Sequence, residues 1–454
     1  MPETRATTLG SCVPNLEPAT HRPSVTNEVG PLAGSEIIQQ DDFALADRPG
    51  LAPSRFTSPR RTRTSVAGVA VAATIAALVL AGCGSSSHHT KTIATNAAKI
   101  TAGGYTAQVF ASGAAIQHHV PTSASPSGKA SIYQPDDLTK LGSDIWVAFQ
   151  NNVGPDGTPA SHVSTSTIVE FSSSGTKVAQ WDLTGHADGI AADTSNGQVY
   201  VTTNEDANAH LFALKPGSSK ATSYSVPSSL PHKGGLDAIS FWHGKMLISA
   251  SAPGTTGGPA PPQNYPAVYV VTLNSSAHTA SFHTFFTDMA TAKHANSGKT
   301  GTTKLALTDP DSNEVVPSYA PRFGGQFMLT SQGDGVQIFS PDTSGKNLSV
   351  LANSQASPEK GSQASQTGLD DSAWASGSSG TLYITDNGTD IIWKVTGPFK
   401  KGEQMSAVSP CDANSAPMSC LAKKYVGEVN MNTGVITEIP ITSQIQPKGL
   451  LWVP

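Results

Sequence analysis

The stretch HADGIAADTSNGQVYVTTNED, residues 186–206, holds a short apolar strand, an Asn-Gly turn, a stronger strand and an acidic tip. An Asn-Gly pair between apolar runs is typical of a β-hairpin. The same order of features recurs in PDDLTKLGSDIWVAFQNN from Pro135, in GGLDAISFWHGKMLISASAPG from Gly234 and in TGLDDSAWASGSSGTLYITDNG from Thr367. PDSNEVVPSYAPRFGGQFMLTSQGD, from Pro310, is the same unit with a longer first hairpin. The sequence therefore predicts a chain of repeated antiparallel units.

The spacing of the units predicts a closed ring of blades. Asp137, Asp188 and Asp237 take matching positions and recur about every 50 residues, the length of a four-stranded blade. One blade cannot cover both faces of its sheet, so it needs neighbours, and closing the ring removes exposed edges. The terminal PKGLLWVP resembles a first strand and YTAQVFASG, near residue 105, an outer strand, so we expect the two ends to complete one blade. The predicted fold class is all-β, a β-propeller of six blades, or of seven if residues 397–440 form their own, and a β-sandwich is the alternative.

Composition agrees with this fold class and narrows the function. Only 13% of the residues are charged, the formal net charge is -5, and Gly and Pro are abundant. Short apolar runs separated by many turns favour β structure over helical bundles. No basic cluster lies in the body of the chain, so nucleic-acid binding is not expected. We expect a monomer.

The N-terminal part carries an export signal. Residues 66–82 are apolar and uncharged, follow a basic stretch, and end in Leu80-Ala81-Gly82-Cys83. This order resembles the lipobox of bacterial lipoproteins, in which the cysteine thiol receives diacylglycerol before the signal peptidase cuts on its N-terminal side. A run of about 17 apolar residues is at the lower limit for a bilayer span, so a cleaved signal peptide is expected instead of a permanent helix.

The resulting domain plan has four parts. Residues 1–60 are expected to be a disordered leader, which raises the possibility that the true translation start lies further along the chain. Residues 61–82 are the lipoprotein signal peptide, residues 83–104 a lipidated flexible tether, and residues 105–454 the β-propeller. The lipid on Cys83 is expected to hold the protein at the outer face of the bacterial cytoplasmic membrane or in the cell envelope.

The cysteines fit an exported protein. Cys12 lies in the leader and Cys83 takes the lipid, which leaves Cys411 and Cys420 in the exported body. In an oxidising compartment this pair is expected to form a disulfide that closes the loop CDANSAPMSC.

Acidic and amide side chains take matching positions in successive units, and a propeller gathers such positions into rings at one mouth of its channel. The first predicted ring contains Asp136, Asp137, Asp188, Asp237, Asp370 and Asp371, with Asn313 and Glu314 in the divergent unit. The second contains Asn151, Asn152, Asn204, Glu205, Gln332, Asp334, Asp386 and Asn387. From the two rings we select as candidate ligands for a metal or small molecule Asp137, Asp188, Asn204, Glu205, Asp237, Asp371 and Asn387.

Two interpretations of these residues stay open. Carboxylate and amide oxygens suit Ca²⁺ or another hard divalent cation such as Mg²⁺ or Mn²⁺. Alternatively, an Asp at the start of an inner strand caps a turn by accepting backbone N–H bonds, and its repetition in every blade favours that structural role. The doubled Asp370-Asp371 and the TNED run at 203–206 depart from the repeat, which makes them stronger site candidates.

Other kinds of site find little support. His186, His232 and His243 occur one per repeat without the spacing of a zinc site. The sequence contains no G-x-S-x-G elbow and no P-loop, so a serine hydrolase or nucleotide enzyme is not indicated.

Two motifs resemble those of known families. They are DGIAAD, from Asp188, and TLYITDNG, which is followed by the short strand DIIWKV. They resemble blades of the six-bladed propellers related to NHL repeats and to the senescence-marker-protein/gluconolactonase and strictosidine-synthase-like families. STIVEF, TNEDAN, LTDPDSNEVVPS and PCDANSAPMSC also resemble a family of uncharacterised secreted bacterial proteins. The resemblance implies a fold more than a chemistry. In the gluconolactonase-like families a divalent cation held by acidic groups polarises a lactone carbonyl and activates water.

Two functions follow as expectations. The first is a non-catalytic module that binds an unknown small molecule or protein at the channel mouth. The second is a divalent-metal-dependent hydrolase of the lactonase type. The sequence favours the first and names no catalytic residue.

Overall fold

The computed structural model describes residues 99–358, 363, 365, 367–411, 421–441 and 444–454. These residues form an all-β structure of thirty strands with a single turn of 3₁₀ helix. Within the described part of the chain, no helix has the length and apolar character needed to cross a membrane.

The N-terminal strands form the edge of one sheet and a separate small hairpin. They are β1 (Lys99–Ala102), β2 (Tyr105–Ser112), the 3₁₀ turn Gly113–Ala115, and a small hairpin of β3 (Gln117–His119) and β4 (Lys129–Ser131). β1 pairs antiparallel with β2. Described strand structure therefore begins at Lys99, ahead of residue 105.

Blades 1 to 3 each contain four antiparallel strands in sequence order. Blade 1 consists of β5 (Pro135–Leu141), β6 (Asp144–Phe149), β7 (Thr165–Phe171) and β8 (Lys177–Thr184). Blade 2 consists of β9 (Ala187–Asp193), β10 (Gln198–Thr203), β11 (His210–Leu214) and β12 (Thr222–Tyr224). Blade 3 consists of β13 (Ile239–Trp242), β14 (Lys245–Ser249), β15 (Pro266–Asn274) and β16 (Thr279–Thr287). The first three sequence units are thus one blade each.

Blade 4 is extended by the segment that precedes it. Its strands are β17 (Thr291–His294), β18 (Thr302–Lys304), β19 (Pro310–Val315), β20 (Phe327–Ser331), β21 (Val336–Ser340) and β22 (Leu348–Ala352). β17 pairs in parallel with β22, so the sheet grows to six strands.

Blades 5 and 6 exchange strands. Blade 5 contains β23 (Ser354–Gln355), β24 (Gly368–Trp374), β27 (Gln404–Ser409), β28 (Tyr425–Val429) and β29 (Val435–Glu438). Blade 6 contains β25 (Thr381–Asp386), β26 (Ile391–Thr396) and β30 (Pro447–Val453), together with β1 and β2. The two ends of the described chain therefore share one blade, as the sequence predicts.

The prediction that the unit from Thr367 forms one hairpin is wrong. β24 pairs with β27, whereas β25 pairs with β30 and β26. The Gly/Ser-rich connection between β24 and β25 carries the chain into the neighbouring blade, where Leu382 pairs with Trp452 and Ile384 with Leu450. β27, β28 and β29 then build blade 5 on β24, with β23 at its edge, so the propeller has six blades and not seven.

The core lies between neighbouring blades. Trp146 of β6 is fully buried, and its ring stacks on Trp181 of β8 at a centroid distance of 4.9 Å. This pair joins Val199 and Val201 of blade 2 in one apolar cluster. Burial between blades is what each sheet requires for stability, because truncating a buried Trp typically costs about 3–5 kcal/mol.

Candidate functional site

The inner strands begin with a β-bulge that recurs around the channel. In β5 the pairing register shifts between Pro135 and Leu138, and in β24 it shifts between Leu369 and Ser372. β9, β19 and β30 show the same irregularity. A bulge leaves a residue unpaired and re-aims its side chain. The residues at this position in five blades, together with Asp237 just before β13, are here called the mouth ring: Asp136, Asp188, Asp237, Asp311, Asp370 and Lys448.

Two glycines allow the ring to close tightly. A Cβ on Gly189 would lie 2.4 Å from the carbonyl oxygen of Asp237, and a Cβ on Gly449 would lie 2.4 Å from the carbonyl oxygen of Asp136. Each glycine follows a ring residue, and no larger residue fits at these two positions. Blades 2 and 6 therefore approach their neighbours closely enough to require glycine there.

Lys448 is the cationic member of the mouth ring. Its Nζ lies 2.8 Å from Oδ2 of Asp370 and 3.7 Å from Oδ1 of Asp136, its two neighbours around the ring. Burial raises the pKa of Asp136 to about 7, against the opposing effect of Lys448. Lys448 thus compensates one side of the ring.

A histidine and two carboxylates meet on the opposite side. Nε2 of His186 lies 3.2 Å from Oδ1 of Asp188 and 4.0 Å from Oε1 of Glu205. Nδ1 of His186 is hydrogen-bonded to the carbonyl of Val153, which only accepts, so Nδ1 carries the proton. Gln150 donates to Oδ1 of Asp188 at 3.0 Å. Nε2 therefore faces the carboxylates in a fixed orientation, as in metal-binding histidines whose other nitrogen donates to a backbone carbonyl.

The charges around His186 also affect its protonation. Burial lowers the pKa of His186, but Asp188 and then Asp136 outweigh burial and raise that pKa to about 9. Without a cation, a proton on Nε2 therefore provides the positive charge that the two carboxylates lack.

Glu205 belongs to a second group of three. Carboxylate oxygens of Glu205, Asp237 and Asp311 all lie within 4.8 Å of one another, as do ligand atoms of His186, Asp188 and Glu205. Burial raises the pKa of Asp237 and of Asp311 well above the usual value, and the charge of Asp237 raises that of Asp311 further. A cation between the two carboxyls would offset this repulsion.

Several carboxylate oxygens of this cluster lack a donor. Asp188, Asp237 and Asp311 are 5–7% exposed, and Oδ2 of each is buried without a hydrogen-bond partner. A buried carboxylate oxygen without a donor is costly. Their number at one place indicates that the cluster is built for a positively charged ligand.

A second set of carboxyls lies further along the channel and serves the backbone. Asp137 accepts from the N–H of Leu138 at 2.6 Å and of Ile190 in the next blade at 3.0 Å. Asp371 accepts from the N–H of Leu450 at 2.6 Å and from that of Ser372 at 2.7 Å. Glu314 also accepts from the N–H of Ser372, at 2.8 Å. These residues join adjacent inner strands, and Asp137 and Asp371 match the capping interpretation.

The two asparagine candidates do not take part in the cluster. Asn204 uses its side chain locally, because Oδ1 accepts from the N–H of His186 at 2.8 Å and Nδ2 donates to the carbonyl of Asn208 at 2.8 Å. Asn204 therefore positions His186. Asn387 lies in the turn after β25, where its N–H donates to the carbonyl of Gln446 at 3.1 Å, and it is outside both groups of clustered ligand atoms.

A cavity of about 420 Å³ continues from the ring into the channel. Asp136 and Asp370 of the ring line it, as do Phe241, Trp374 and Trp452. The cavity wall therefore combines carboxylates with aromatic side chains.

Sequence reasoning missed three members of the site. It selected Asn313 and Glu314 in this unit, whereas the structure places Asp311 in the ring, because Pro310-Asp311-Ser312 takes the same position as Pro135-Asp136-Asp137. It set His186 aside, and it did not select Lys448. Aligning the bulged positions, in which PKG of blade 6 matches LDA of blade 3, would have identified Asp311 and Lys448.

The predictions for the cysteines concern residues that the structure does not describe. Cys83 and Cys420 are not among the described residues. Lipidation of Cys83 and the pairing of Cys411 with Cys420 therefore stay predictions.

Comparison with solved structures finds other proteins of similar fold. The periplasmic gluconolactonase of Pseudomonas aeruginosa is 11% identical over 72% of this chain and 90% of its own, with a TM-score of 0.40. The virginiamycin B lyase of Staphylococcus aureus is 10% identical over 74% of this chain and 89% of its own, with a TM-score of 0.33. A protein of unknown function from Bacteroides caccae is 7% identical over 72% of this chain and 89% of its own, with a TM-score of 0.37. No protein-family profile and no curated sequence matches the chain. These similarities concern the fold alone.

Proposed function

We propose that this protein binds a divalent cation at the mouth of its channel and uses it to hold a small ligand through the ligand's oxygen atoms. The observation that carries the proposal is the asymmetry of the cluster. His186 and Glu205 both come from blade 2, and together with Asp188 they bring three potential ligand atoms within 4.8 Å of one another. Turn caps alone do not require this convergence.

The balance of charge supports a cation. Asp188, Glu205, Asp237 and Asp311 lie together, whereas the ion pairs of Lys448 are with Asp136 and Asp370. Buried carboxylates that repel one another need a counter-charge, and a divalent ion supplies it.

Access to the cluster supports ligand binding. The side chain of Glu205 is 30% exposed, whereas Asp188 is buried behind it. Ca²⁺ takes about 6–8 oxygen ligands and Mg²⁺ keeps several waters, so a few protein ligands leave positions for a carbonyl, hydroxyl or carboxylate of a small molecule.

The proposal includes a location for the protein in the cell. The lipobox-like sequence ending at Cys83 supports a lipid-anchored protein at the outer face of the cytoplasmic membrane. The unknown ligand is then an extracytoplasmic small molecule or protein segment.

A second candidate is a metal-dependent hydrolase of the lactonase type. The observation that favours it is the position of Glu205, a partly exposed carboxylate in contact range of His186 at the cation site. A cation held by His186, Asp188 and Glu205 would polarise a carbonyl and lower the pKa of a bound water.

The experiment is equilibrium dialysis of the purified protein against Mn²⁺ and Ca²⁺, followed by a panel of lactones and esters. The proposal expects saturable cation binding that Glu205→Gln weakens at least tenfold. Cation binding without turnover of any lactone or ester would favour the binding module over the hydrolase. Absence of saturable binding by both ions would contradict both functions.

A further inference from the structure

The cluster at the mouth contains two overlapping groups of three ligand atoms. His186, Asp188 and Glu205 form the first, and Glu205, Asp237 and Asp311 form the second. Resting on the proposed cation site, we infer that the mouth holds two unlike divalent cations that share Glu205, the first bound by a histidine nitrogen and two carboxylates and the second by carboxylates alone.

The first position suits a transition metal. Nε2 of His186 is 3.2 Å from Oδ1 of Asp188 and 4.0 Å from Oε1 of Glu205, separations that one ion can bridge with bonds of about 2.0–2.2 Å. The proton on Nδ1, held by the Val153 carbonyl, leaves Nε2 as the nitrogen that can bind metal. Imidazole nitrogen suits Zn²⁺ and other transition ions and is a poor ligand for Ca²⁺.

The second position suits a hard cation. Its three carboxylates come from blades 2, 3 and 4, and it contains no nitrogen ligand. Oδ2 of Asp237 and Oδ2 of Asp311 are buried without a hydrogen-bond partner, on side chains that are 6% and 7% exposed. Oxygen ligands of this kind bind Ca²⁺, Mg²⁺ and Mn²⁺.

The charges favour two ions over one. Asp188, Glu205, Asp237 and Asp311 are four carboxylates, which two divalent cations balance when all four are ionised. Oδ2 of Asp188 also lacks a hydrogen-bond donor. A carboxylate between two ions is a common bridge in sites whose metals are about 3.5–4 Å apart.

The test is metal stoichiometry measured on the purified full-length protein. Mn²⁺ is the probe because both oxygen and nitrogen ligands accept it. Bound Mn²⁺ is counted by mass spectrometry after dialysis, and electron paramagnetic resonance reports whether two bound ions are magnetically coupled. The variants are His186→Ala, Asp311→Asn and Glu205→Gln. The matched control is Asp371→Asn, a half-buried carboxyl of the channel outside both groups.

Two coupled equivalents of Mn²⁺ are expected in the wild-type protein and in Asp371→Asn. His186→Ala should retain one equivalent that Ca²⁺ displaces, and Asp311→Asn should retain one that Zn²⁺ displaces and Ca²⁺ does not. Glu205→Gln should weaken both by at least tenfold. A single wild-type equivalent, lost in both His186→Ala and Asp311→Asn, would overturn the two-ion inference but leave the proposed function standing. No bound Mn²⁺ or Ca²⁺ in the wild-type protein would overturn both.

Discussion

Nζ of Lys448 lies 2.8 Å from Oδ2 of Asp370, so blade 6 places a cation where each of the other five blades places an aspartate. Asp136, on the other side of Lys448, is 3.7 Å away. This exchange of charge makes the pseudo-sixfold ring asymmetric. The ion pairs of Lys448 lie at blades 5, 6 and 1, whereas the described carboxylates of blades 2, 3 and 4 form no ion pair with it.

Replacement of Lys448 by Met should destabilise the protein at neutral pH. The change leaves Asp136 and Asp370 buried without their counter-charge, and breaking such a pair typically costs about 3 kcal/mol or more. Urea denaturation measures the loss. The double variant Lys448→Met/Asp370→Asn should recover part of it, since it removes one orphaned charge. Equal stability of the wild type and the Lys448→Met variant would show that the ion pairs do not contribute.

The cation-free protein should lose stability as the pH rises from about 6.5 to about 9. Folding raises the pKa of Asp136 to about 7, of Glu314 to about 8 and of His186 to about 9. A folded state with raised pKa values holds its protons more tightly than the unfolded chain. The stability gained by protonation is present at low pH and disappears as the pH passes each folded-state pKa.

Thermal melting in the presence of a chelator, measured across this pH range, checks the prediction. His232 opposes the trend only at lower pH, because burial lowers its pKa to about 4 from an ordinary value near 6.5. A melting temperature that rises between pH 6.5 and 9 would contradict the assignment of these groups.

Replacement of Asp137 by Ala should cost stability without affecting cation binding. Asp137 accepts two backbone N–H bonds, from Leu138 and from Ile190 in the next blade. Loss of a comparable cap costs about 0.5–2 kcal/mol. Urea denaturation gives the cost, and dialysis against Mn²⁺ should give wild-type binding. Loss of Mn²⁺ binding in this variant would place Asp137 in the cation site.

Much of the fold could be predicted from local sequence, because most units contain a turn between apolar runs that is typical of a hairpin. The Asn196-Gly197 turn and the apolar strand after it are examples. The exchange of β24 and β25 could not be predicted in this way. Whether Leu382 pairs with its own unit or with Trp452 of the last strand depends on long-range packing, which the strand's own residues do not encode.

The candidate site was predictable in part for a related reason. Asp188, Asp237 and Glu205 stand out as acidic residues at repeated turns, and the structure brings them together. Asp311 was missed because its unit was aligned on Asn313 and Glu314, further along the chain, although its bulge matches those of the other inner strands. Lys448 was missed because only the closed ring makes a lysine the neighbour of two aspartates.

Replacement of Cys83 by Ser should abolish acylation and leave the precursor uncleaved by the lipoprotein signal peptidase. The serine hydroxyl cannot replace the thiol that receives the lipid. Labelling with a radioactive fatty acid and the size of the protein on a gel report the two effects. Normal processing of the variant would remove the basis for the proposed lipid anchor.

Thermal melting with chelator and with millimolar Mn²⁺ tests most directly whether the carboxylates of the mouth bind a cation or only cap turns. Saturating Mn²⁺ should raise the wild-type melting temperature by about 3–4 °C, since a hundredfold excess over Kd contributes about 2.7 kcal/mol in a domain of this size. Asp371→Asn should keep this rise and Glu205→Gln should lose it. A wild-type melting curve that neither Mn²⁺ nor chelator moves would contradict the cation site and leave the carboxylates of the mouth ring as structural groups.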